Sequence, residues 1–599
     1  MVEKFWAQFT WEGDPPSTES EAQDPSLRIP GAVYSWQPES QLALVARASD
    51  WTLFKWGCVI SRSSSLDQKA ILEQLLANLS GGQALRDCLE DMEGEFSLVL
   101  WHEPSRSLQL VSDPIGVVKL FYTRNPGGVM VTSHASEIVR KTGKAELSPE
   151  GLGLLFSLKG IPAPYSLIQG VSILPPATIL ELSSEREQTS SYWDLLQNLA
   201  VHYPGSFDQA SDDLLQILQQ NLHSESAQNT QPTGVYLSGG VDSALLLGSA
   251  HSLGIPVKAF SVGYNPASSN DETEIARANA RAIGVEIEVA QPGDAELASL
   301  LDQIIPAMPE PVADASLLPH FFLARIAASQ VGNTIVGNGS DNIFGGLQRF
   351  SAEALTKQYL RVPLLIRKGL IKPLVNLFPS SRQSAFTNWF RKAQKFTYGA
   401  ELPAELRDVY WSRFMSKELV AQLFQPEIPA VQDRADELLI NLRKAAQISG
   451  SDLFTTTYAS LRGTFPIYSP QKLMTMTYLT GKNCHLAYMS RRMVNFAFTL
   501  PEEFILKNGH AKLVLREAAR KALPEKVVFP KKAYFSPPIG RWLQGVFHDE
   551  LLDTLRGDPY FNRPFIEMLL SQQFNGWRDW QWELWLIFMV LKWWGGVNR

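Results

Sequence analysis

The segment Val235-Tyr-Leu-Ser-Gly-Gly-Val-Asp-Ser-Ala244 places the tightest limit on how this chain can fold. Apolar residues typical of a buried strand end at Leu237, and the pattern predicts that a helix begins near Ser243. Between them, Gly239 and Gly240 allow the backbone to approach a ligand closely. A strand that passes through such a loop into a helix is typical of a parallel sheet with crossover helices.

The composition of this loop favours phosphate binding. The hydroxyls of Ser238 and Ser243 can donate to phosphate oxygens, and the start of a helix adds free N–H groups and a favourable dipole. Asp242 would repel a phosphate, so we expect it to bind a Mg²⁺ ion that bridges to the phosphates. The spacing is not that of a Walker A loop, GxxxxGKS/T. A plain Ser/Gly turn after a buried strand is the alternative interpretation.

A second segment, Thr334-Ile-Val-Gly-Asn-Gly-Ser-Asp-Asn-Ile-Phe-Gly-Gly346, again leads from a strand into a glycine-rich turn and carries an acid at Asp341. Because the carboxyl ends of parallel strands meet at one edge of a sheet, we expect Asp242 and Asp341 to share the metal. A turn or N-cap role for Asp341 is the alternative. The candidate nucleotide-binding residues in this turn are Gly337, Gly339 and Ser340.

The order of strand-like and helix-like segments divides the chain into two predicted domains, residues 1–200 and 201–599. Short strands bounded by turns characterise the first, and strands that alternate with longer helices predict βαβ units in the second. Helical patterns dominate beyond residue 350. The predicted strands include 96–101, 108–112, 128–132, 234–237 and 257–262, and the predicted helices include 244–252 and 272–283.

Charge and cysteine content exclude several classes of protein. The formal net charge of -7 argues against nucleic acid as a partner. The three cysteines, Cys58, Cys88 and Cys484, lie far apart without metal-ligand spacing, which argues against a disulfide framework or a structural zinc site and favours the cytosol. The N-terminus lacks the pattern of a signal peptide, and the most apolar stretch, 584–591, is too short to span a bilayer. We expect the tryptophans around it to pack a terminal helix onto the core rather than to bind a membrane surface; they are Trp577, Trp580, Trp585, Trp593 and Trp594.

The two glycine-rich loops together resemble the synthetase domain of the asparagine synthetase superfamily, whose SGGxDS loop is that of the N-type ATP pyrophosphatases. The resemblance implies an α/β fold of the adenine nucleotide α-hydrolase type with added helices, and a reaction in which ATP and Mg²⁺ activate a carboxylate as an acyl-adenylate, releasing AMP and pyrophosphate. Ser261, Val262 and Gly263 resemble the family's adenine-side strand. Further segments in the family's order are 271–274, 276–280, 489–501, Lys512 with Leu515 and Arg516, and 529–537.

The last of these segments aligns Lys532 with a family lysine that holds the adenylating phosphates. A compact ammonium is suited to neutralising the α-phosphate and the departing pyrophosphate. The neighbouring Lys531 is an alternative for this role, and a solvated surface lysine is the structural alternative for either. The implied catalytic set is therefore Lys532, Asp242 and Asp341.

The first domain resembles the αββα glutaminase domain of the same superfamily, an Ntn-hydrolase type, over segments 89–96, 112–116 and 133–137. That enzyme uses a cysteine at position 2 as its nucleophile, and this chain has Val2. Cys58 lies deep in the chain, and Ser112 replaces an expected arginine. The domain is therefore predicted to be an inactive glutaminase that is retained as a scaffold or as a docking surface.

Asn338 stands where asparagine synthetases carry a glutamate and β-lactam synthetases carry a tyrosine. An asparagine cannot act as a general base at neutral pH, so another group must deprotonate the amine. Asp314 is a candidate, with an N-cap as its alternative role. An inactive glutaminase beside an adenylating site implies that the amine belongs to an organic substrate.

Among such enzymes the chain most resembles lasso peptide cyclases, which join the N-terminal amine of a precursor peptide to an internal Asp or Glu side chain. Residues 351–400 carry nine Lys and Arg against one acid, Glu353, and this face could hold a peptide or partner protein, or could simply be solvated. The resemblance implies a leader-binding protein and a leader peptidase as partners. A β-lactam synthetase-like cyclase, an ammonia-using asparagine synthetase and a non-catalytic ATP-binding scaffold are the alternatives.

Overall fold

In the computed structural model of the chain, alternating apolar residues at the N-terminal end form two six-stranded antiparallel sheets. Their strands are β1 (Trp6–Thr10), β2 (Leu27–Ile29), β3 (Ala32–Ser35), β4 (Ala43–Ala48), β5 (Trp51–Gly57), β6 (Ile60–Ser61), β7 (Met92–Glu93), β8 (Phe96–His102), β9 (Ser107–Ser112), β10 (Phe121–Asn125), β11 (Gly128–Thr132), β12 (Ser172–Ile173), β13 (Thr178–Leu182) and β14 (Glu187–Ser191). The sheets have the orders β12-β10-β11-β1-β3-β2 and β14-β13-β9-β8-β5-β4, and β6 pairs with β7.

Aromatic side chains fill the space between these two sheets. The ring of Phe9 on β1 lies 6.0 Å from that of Phe54 on β5 and 5.3 Å from that of Trp101 on β8. Each such side chain contributes roughly 1.5–3 kcal/mol when fully buried. Helices cover both outer faces, with α1 (Gln68–Ser80) against β4 and β5, and α3 (Ala135–Thr142) against β11. With α2 (Leu85–Cys88) and α4 (Pro149–Leu158), this confirms the predicted αββα architecture.

A five-stranded parallel sheet forms the centre of the second part. Its strands are β15 (Thr233–Tyr236), β16 (Val257–Val262), β17 (Ile287–Ala290), β18 (Asn333–Val336) and β19 (Cys484–Leu486), in the order β17-β16-β15-β18-β19. Along the chain, β16 and then β17 are added on one side of β15, and β18 and then β19 are added on its other side. The strand order therefore reverses between β15 and β18, and ligands bind at such a reversal in open parallel sheets.

Helices surround this sheet and form most of the chain beyond residue 350. They are α5 (Phe207–Ser226), α6 (Val241–Ser252), α7 (Thr273–Ile283), α8 (Asp294–Ala298), α9 (Leu301–Ile304), α10 (Leu317–Ala328), α11 (Ser340–Ile343), α12 (Gln348–Tyr359), α13 (Leu364–Ile366), α14 (Lys372–Asn376), α15 (Ala385–Ala400), α16 (Ala404–Ser412), α17 (Lys417–Leu423), α18 (Ala435–Ala446), α19 (Asp452–Ala459), α20 (Ser469–Thr480), α21 (Arg491–Thr499), α22 (Glu502–Ile505), α23 (Leu513–Ala522), α24 (Ile539–Gln544), α25 (His548–Leu555), α26 (Arg563–Phe574) and α27 (Gln581–Val597). A π-helical turn, Arg367–Ile371, joins α13 to α14, and β20 (Leu506–Lys507) pairs with β21 (His510–Ala511).

The structure describes residues 4–12, 27–35, 42–63, 66–143, 146–226, 231–264, 271–380, 384–425, 434–447, 450–527, 529 and 537–597. Within them, the predicted strands 128–132 and 257–262 coincide with β11 and β16. Helix α6 begins at Val241, two residues before the predicted start near Ser243, because Gly240 is its N-cap. None of the helices in these ranges is long and apolar enough to cross a membrane.

The C-terminal tryptophans pack as predicted, with one exception. Trp585 and Trp593 of α27 are almost fully buried, Trp580 and Trp594 are buried, and Trp577 is exposed. Trp577 and Trp580 both lie in the connection between α26 and α27, and the indole N–H of the buried Trp580 donates to Gln572 Oε1 at 2.8 Å.

Buried polar contacts join the two parts of the chain. The guanidinium of Arg491, at the start of α21, donates to the carbonyls of Leu89 at 2.9 Å and of Met92 at 2.5 Å. The carboxylate of Glu95, also in the first part, accepts from His485 Nδ1 and from the backbone N–H of Leu486, both at 2.9 Å. Because His485 and Leu486 belong to β19, the first part of the chain fixes the strand that borders β18.

Candidate functional site

The loop after β15 is stabilised by hydrogen bonds from its backbone N–H groups to its own serine hydroxyls. The backbone N–H of Ser238 donates to Ser243 Oγ, and that of Gly240 donates to Ser238 Oγ, both at 3.1 Å. The N–H of Gly239 donates instead to the carboxylate of Glu272 at 3.0 Å. A loop amide that already binds a carboxylate oxygen is suited to bind an oxygen of a phosphate.

The loop after β18 lies directly against the first loop. A Cβ on Gly337 would lie 3.2 Å from the Cβ of Asp242, so a larger residue would push the loops apart. Gly339 has a φ of +96°, and a Cβ there would lie 2.6 Å from Met489 Cγ. Ser340 is buried, and its Oγ has no hydrogen-bond partner among the described residues, as expected of a group that a ligand completes.

The two predicted metal ligands meet at one lysine. The ammonium of Lys512 lies 2.7 Å from both carboxylate oxygens of Asp242 and 2.7 Å from Asp341 Oδ1. Lys512 is 5% exposed and immediately precedes α23, where its backbone adopts a φ of +60°. The expected proximity of Asp242 and Asp341 is therefore observed, with a cation between them.

The electrostatics of this cluster favour bound positive charge. Burial acts to lower the pKa of Lys512, but the carboxylates of Asp242 and Asp341 outweigh it and hold that pKa above its usual value. Tyr488 donates its hydroxyl to the Asp242 carbonyl at 3.0 Å, and burial together with the nearby Asp242 carboxylate raises the Tyr488 pKa well above normal. The tyrosine therefore remains a neutral donor that positions Asp242.

The adenine-side candidates lie on the neighbouring strand. Ser261 and Val262 end β16, and Gly263 continues the pairing by donating its N–H to the Ala290 carbonyl at 2.9 Å. A Cβ at Gly263 would lie 2.4 Å from Asp271 Oδ2, so a larger residue would displace the Asp271 carboxylate. The end of β16 thus lies beside Leu237 and the first loop, whereas Lys531 and Lys532 lie outside the described residues.

Comparison with known proteins identifies the family that carries this arrangement. The family profile described as asparagine synthase matches residues 214–595. The chain belongs to the asparagine synthase family. A second profile, described as a glutamine amidotransferase domain, matches residues 69–193. Membership makes the chain an ATP-dependent amide-forming ligase of the asparagine synthetase type.

The individual relatives have low sequence identity to this chain but align over most of its length. Asparagine synthetase (glutamine-hydrolyzing) 1 of Bacillus subtilis strain 168 is 23% identical over 521 residues, which cover 85% of this chain and 78% of the relative. Amidase chry2 of Gibberella zeae is 22% identical over 538 residues, covering 81% of this chain and 75% of the relative. Among solved structures, glutamine phosphoribosylpyrophosphate amidotransferase of B. subtilis matches with a TM-score of 0.21 at 12% identity, covering 48% of this chain and 75% of that protein.

Two positions bear on how this member of the family handles the incoming amine. Asn338 lies in the second loop, where its amide donates to Ser469 Oγ at the start of α20. Asp314 lies 3.2 Å from the ammonium of Lys472 and accepts from the N–H of Ser316 at 3.0 Å. Burial alone would raise the pKa of Asp314, but Lys472 and the Ser316 hydrogen bonds lower it to about 2. This makes Asp314 a weak base and favours the structural role, although the N-cap of α10 is Ser316 itself.

Two positions that the sequence analysis singled out in the first domain, Ser112 and Cys58, lie within the described residues. Ser112 is buried and donates to the Pro175 carbonyl. The next residue, Asp113, accepts backbone N–H groups from both Gly116 and Val118, at 2.7 and 2.9 Å, and so shapes the turn. Cys58 is a buried free thiol, and Val2 lies outside the described residues.

The sequence did not assign roles to Lys512, Glu272 and Tyr488, which lie at the centre of the site. Lys512 was recognised only as part of a motif with Leu515 and Arg516. The signal in the sequence is a lysine directly before a helix, in a chain with two acidic loops that require a cation as partner. The position of Lys512 depends on its contact with Asp242, and these two residues are 270 positions apart in the sequence.

Proposed function

We propose that this member of the asparagine synthase family closes a macrolactam on a precursor peptide. In this proposal, the side-chain carboxylate of an internal Asp or Glu attacks the α-phosphorus of ATP and expels pyrophosphate. The peptide's N-terminal amine then attacks the acyl-adenylate carbonyl and expels AMP. The observation that carries the chemistry is the convergence of Asp242, Asp341 and Lys512 at the reversal of strand order.

The charged residues of the site divide the work of adenylation. Asp242 and Asp341 would hold Mg²⁺, because two carboxylates plus phosphate oxygens are a ligand set that this ion accepts. When bound, Mg²⁺ neutralises charge that develops on the phosphates. Lys512, and Lys532 by its resemblance to the family lysine, would stabilise the α-phosphate and the departing pyrophosphate. Ser238 and Ser243 would bind the pyrophosphate oxygens.

The proposal of an internal amine depends on what the first domain lacks. We propose residues 1–200 as an inactive glutaminase domain and residues 201–599 as the synthetase domain. Val2 cannot act as a nucleophile, so glutamine would not supply ammonia. Asn338 cannot accept the proton of the amine, which favours a substrate that brings its own proton acceptor. Holding both ends of one peptide together would contribute much of the rate.

An ammonia-using asparagine synthetase is the second candidate, favoured by the B. subtilis relative that aligns over 85% of this chain. It requires only aspartate, ammonia and Mg·ATP, and it would not need a glutaminase. Under the first proposal, in contrast, a leader-binding protein and a leader peptidase would act on the precursor peptide.

AMP formation with Mg·ATP, measured together with product mass, tests both candidates. The substrates are a precursor peptide encoded beside this gene, a small β-amino acid substrate, and aspartate with ammonia. AMP release with a peptide product that has lost one water supports the macrolactam cyclase. AMP release only with aspartate and ammonia supports the second candidate, and release only with the small substrate indicates a β-lactam synthetase-like enzyme. If no AMP forms with any of these substrates, even when the peptide is supplied together with its partner proteins, both candidates are wrong.

A further inference from the structure

An exposed apolar stripe runs along the continuous helix of residues 364–376 and onto α15. Leu377 is 77% exposed and Trp389 is 60% exposed, so these side chains protrude instead of lining a groove. We call this surface the apolar ridge and define it by Ile366, Leu370, Leu374, Leu377, Phe386 and Trp389.

The other side of this helix holds it in place. Arg367 is buried and pairs with Glu401 at 2.5 Å. Val375 is also buried, and its carbonyl accepts from Gln394 Nε2 of α15 at 3.0 Å. The ridge leucines follow Ile366 at intervals of four, four and three residues, which keeps them on one face of a helix. The apolar face is thus a fixed feature of the fold.

Aromatic rings make the ridge continuous from one helix to the other. Phe378, directly after Leu377, stacks on Phe390 with ring centroids 4.2 Å apart. The exposed rings of Phe386 and Trp389 each lie 4.9 Å from that of Phe390. The leucines of one helix and the aromatic residues of the next therefore form a single surface.

The charge around the ridge is positive. Two glutamates on the surrounding helices are paired with arginines, Glu353 with Arg407 at 2.7 Å and Glu401 with the buried Arg367. Exposed basic side chains lie on the helical segments that carry the ridge; they are Lys368 and Lys392. Lys392 stands three residues after Trp389 on α15, so its charge is adjacent to an exposed indole.

We propose that the apolar ridge docks this protein onto the surface of an anionic lipid bilayer. Leucines and a tryptophan that protrude between lysines are typical of helices that lie in the headgroup region of a membrane. The positive charge favours anionic headgroups, and it opposes docking of a second copy, which would bring two basic faces together. A bilayer also requires no complementary groove, in agreement with the protruding side chains.

Vesicle flotation with the full-length protein tests this proposal. The vesicles contain phosphatidylcholine with or without phosphatidylglycerol, and binding is measured at low and high salt. We expect binding only to the vesicles with phosphatidylglycerol, weakened by salt. The double variant Leu370→Glu with Leu377→Glu should bind at least about tenfold more weakly, because two apolar insertions are lost. Lys368→Glu should weaken binding several-fold.

A matched control places glutamates at two exposed apolar positions outside the ridge, Val201→Glu with Val546→Glu. This control should bind vesicles like the parent, and all variants should keep their circular dichroism spectra. The proposal is overturned if the parent does not bind phosphatidylglycerol vesicles, or if the ridge and control variants bind equally well. It is also overturned if the parent does not bind vesicles but binds a synthetic acidic amphipathic peptide. That result would identify the ridge as a protein-docking surface.

Discussion

Replacing Lys512 with methionine is the most direct test of the site. The substitution keeps the apolar stem and removes the ammonium that lies 2.7 Å from both Asp242 and Asp341. At 2.7 Å and an effective dielectric of 20, each contact represents about 6 kcal/mol of attraction before desolvation is subtracted. Since breaking a buried charge pair typically costs 3–5 kcal/mol, we expect about that loss in the free energy of unfolding without metal.

The same variant should lose activity by a separate route. Removing one preformed charge from a site of phosphoryl chemistry typically lowers the turnover rate by about 100- to 1000-fold. Added Mg²⁺ should restore thermal stability to Lys512→Met, because a cation between Asp242 and Asp341 replaces the missing charge. It should not restore the rate, because the lysine is proposed to contact the phosphates itself.

The measurements are thermal unfolding with EDTA or with Mg²⁺, and AMP formation at saturating Mg·ATP. Lys507→Met is the control, since Lys507 is exposed on β20 close in sequence to Lys512. The pH dependence gives a further check. Because the folded-state pKa of Lys512 lies above its usual 10.5, its stabilisation is complete below that value and is lost only as the pH rises through the raised pKa. Parent and variant should therefore differ by a constant amount across neutral pH.

Two results would refute this reasoning. If Lys512→Met forms AMP within a few-fold of the parent rate, Lys512 has no role in the chemistry. If the variant is destabilised equally with EDTA and with Mg²⁺, Asp242 and Asp341 do not hold the ion together. In the second case the metal ligands would have to be sought elsewhere.

Three other predictions concern the support of the site. Glu95→Gln should lower kcat more than it changes KM for ATP, because it weakens the hold on His485 of β19; an unchanged kcat contradicts this. His134 is buried with its pKa lowered to about 3, first by burial and then by Lys4, so the parent should lose up to about 1.4 kcal/mol per pH unit below 6.5. Chemical denaturation at several pH values should show a smaller acid loss in His134→Gln. Gly339→Ala forces a side chain into a φ of +96° and should cost about 1–3 kcal/mol together with most AMP formation, whereas parent-like activity would show that the loop adapts.

Local sequence patterns were sufficient for the regular elements near the site. The strand-like segment 257–262 predicted β16 with the bounds that the structure has, and its central residues Ala259, Phe260 and Ser261 are buried. The start of α6 was less accurate, because Gly240 acts as an N-cap that periodicity alone does not reveal. The proximity of Asp242 and Asp341 followed from a general property of parallel sheets.

Local sequence patterns do not predict contacts between segments that are far apart in the chain. The pairing of Glu95 with His485 spans 390 residues, and neither side chain is unusual in its local sequence. The buried position of Lys512 depends on a left-handed backbone conformation just before α23, which lysine rarely adopts. Whether the resemblance of Lys532 to the family lysine corresponds to the same role in this chain stays a prediction.

Arg491 has a consequence for protein engineering. Its guanidinium donates to carbonyls of residues 89, 90 and 92, so removing the first 200 residues would take away these acceptors and expose the cation to solvent. A chimera that carries an active glutaminase would have to reproduce the same carbonyl positions before it could deliver ammonia. The two halves of this chain can therefore be exchanged between relatives only as a matched pair.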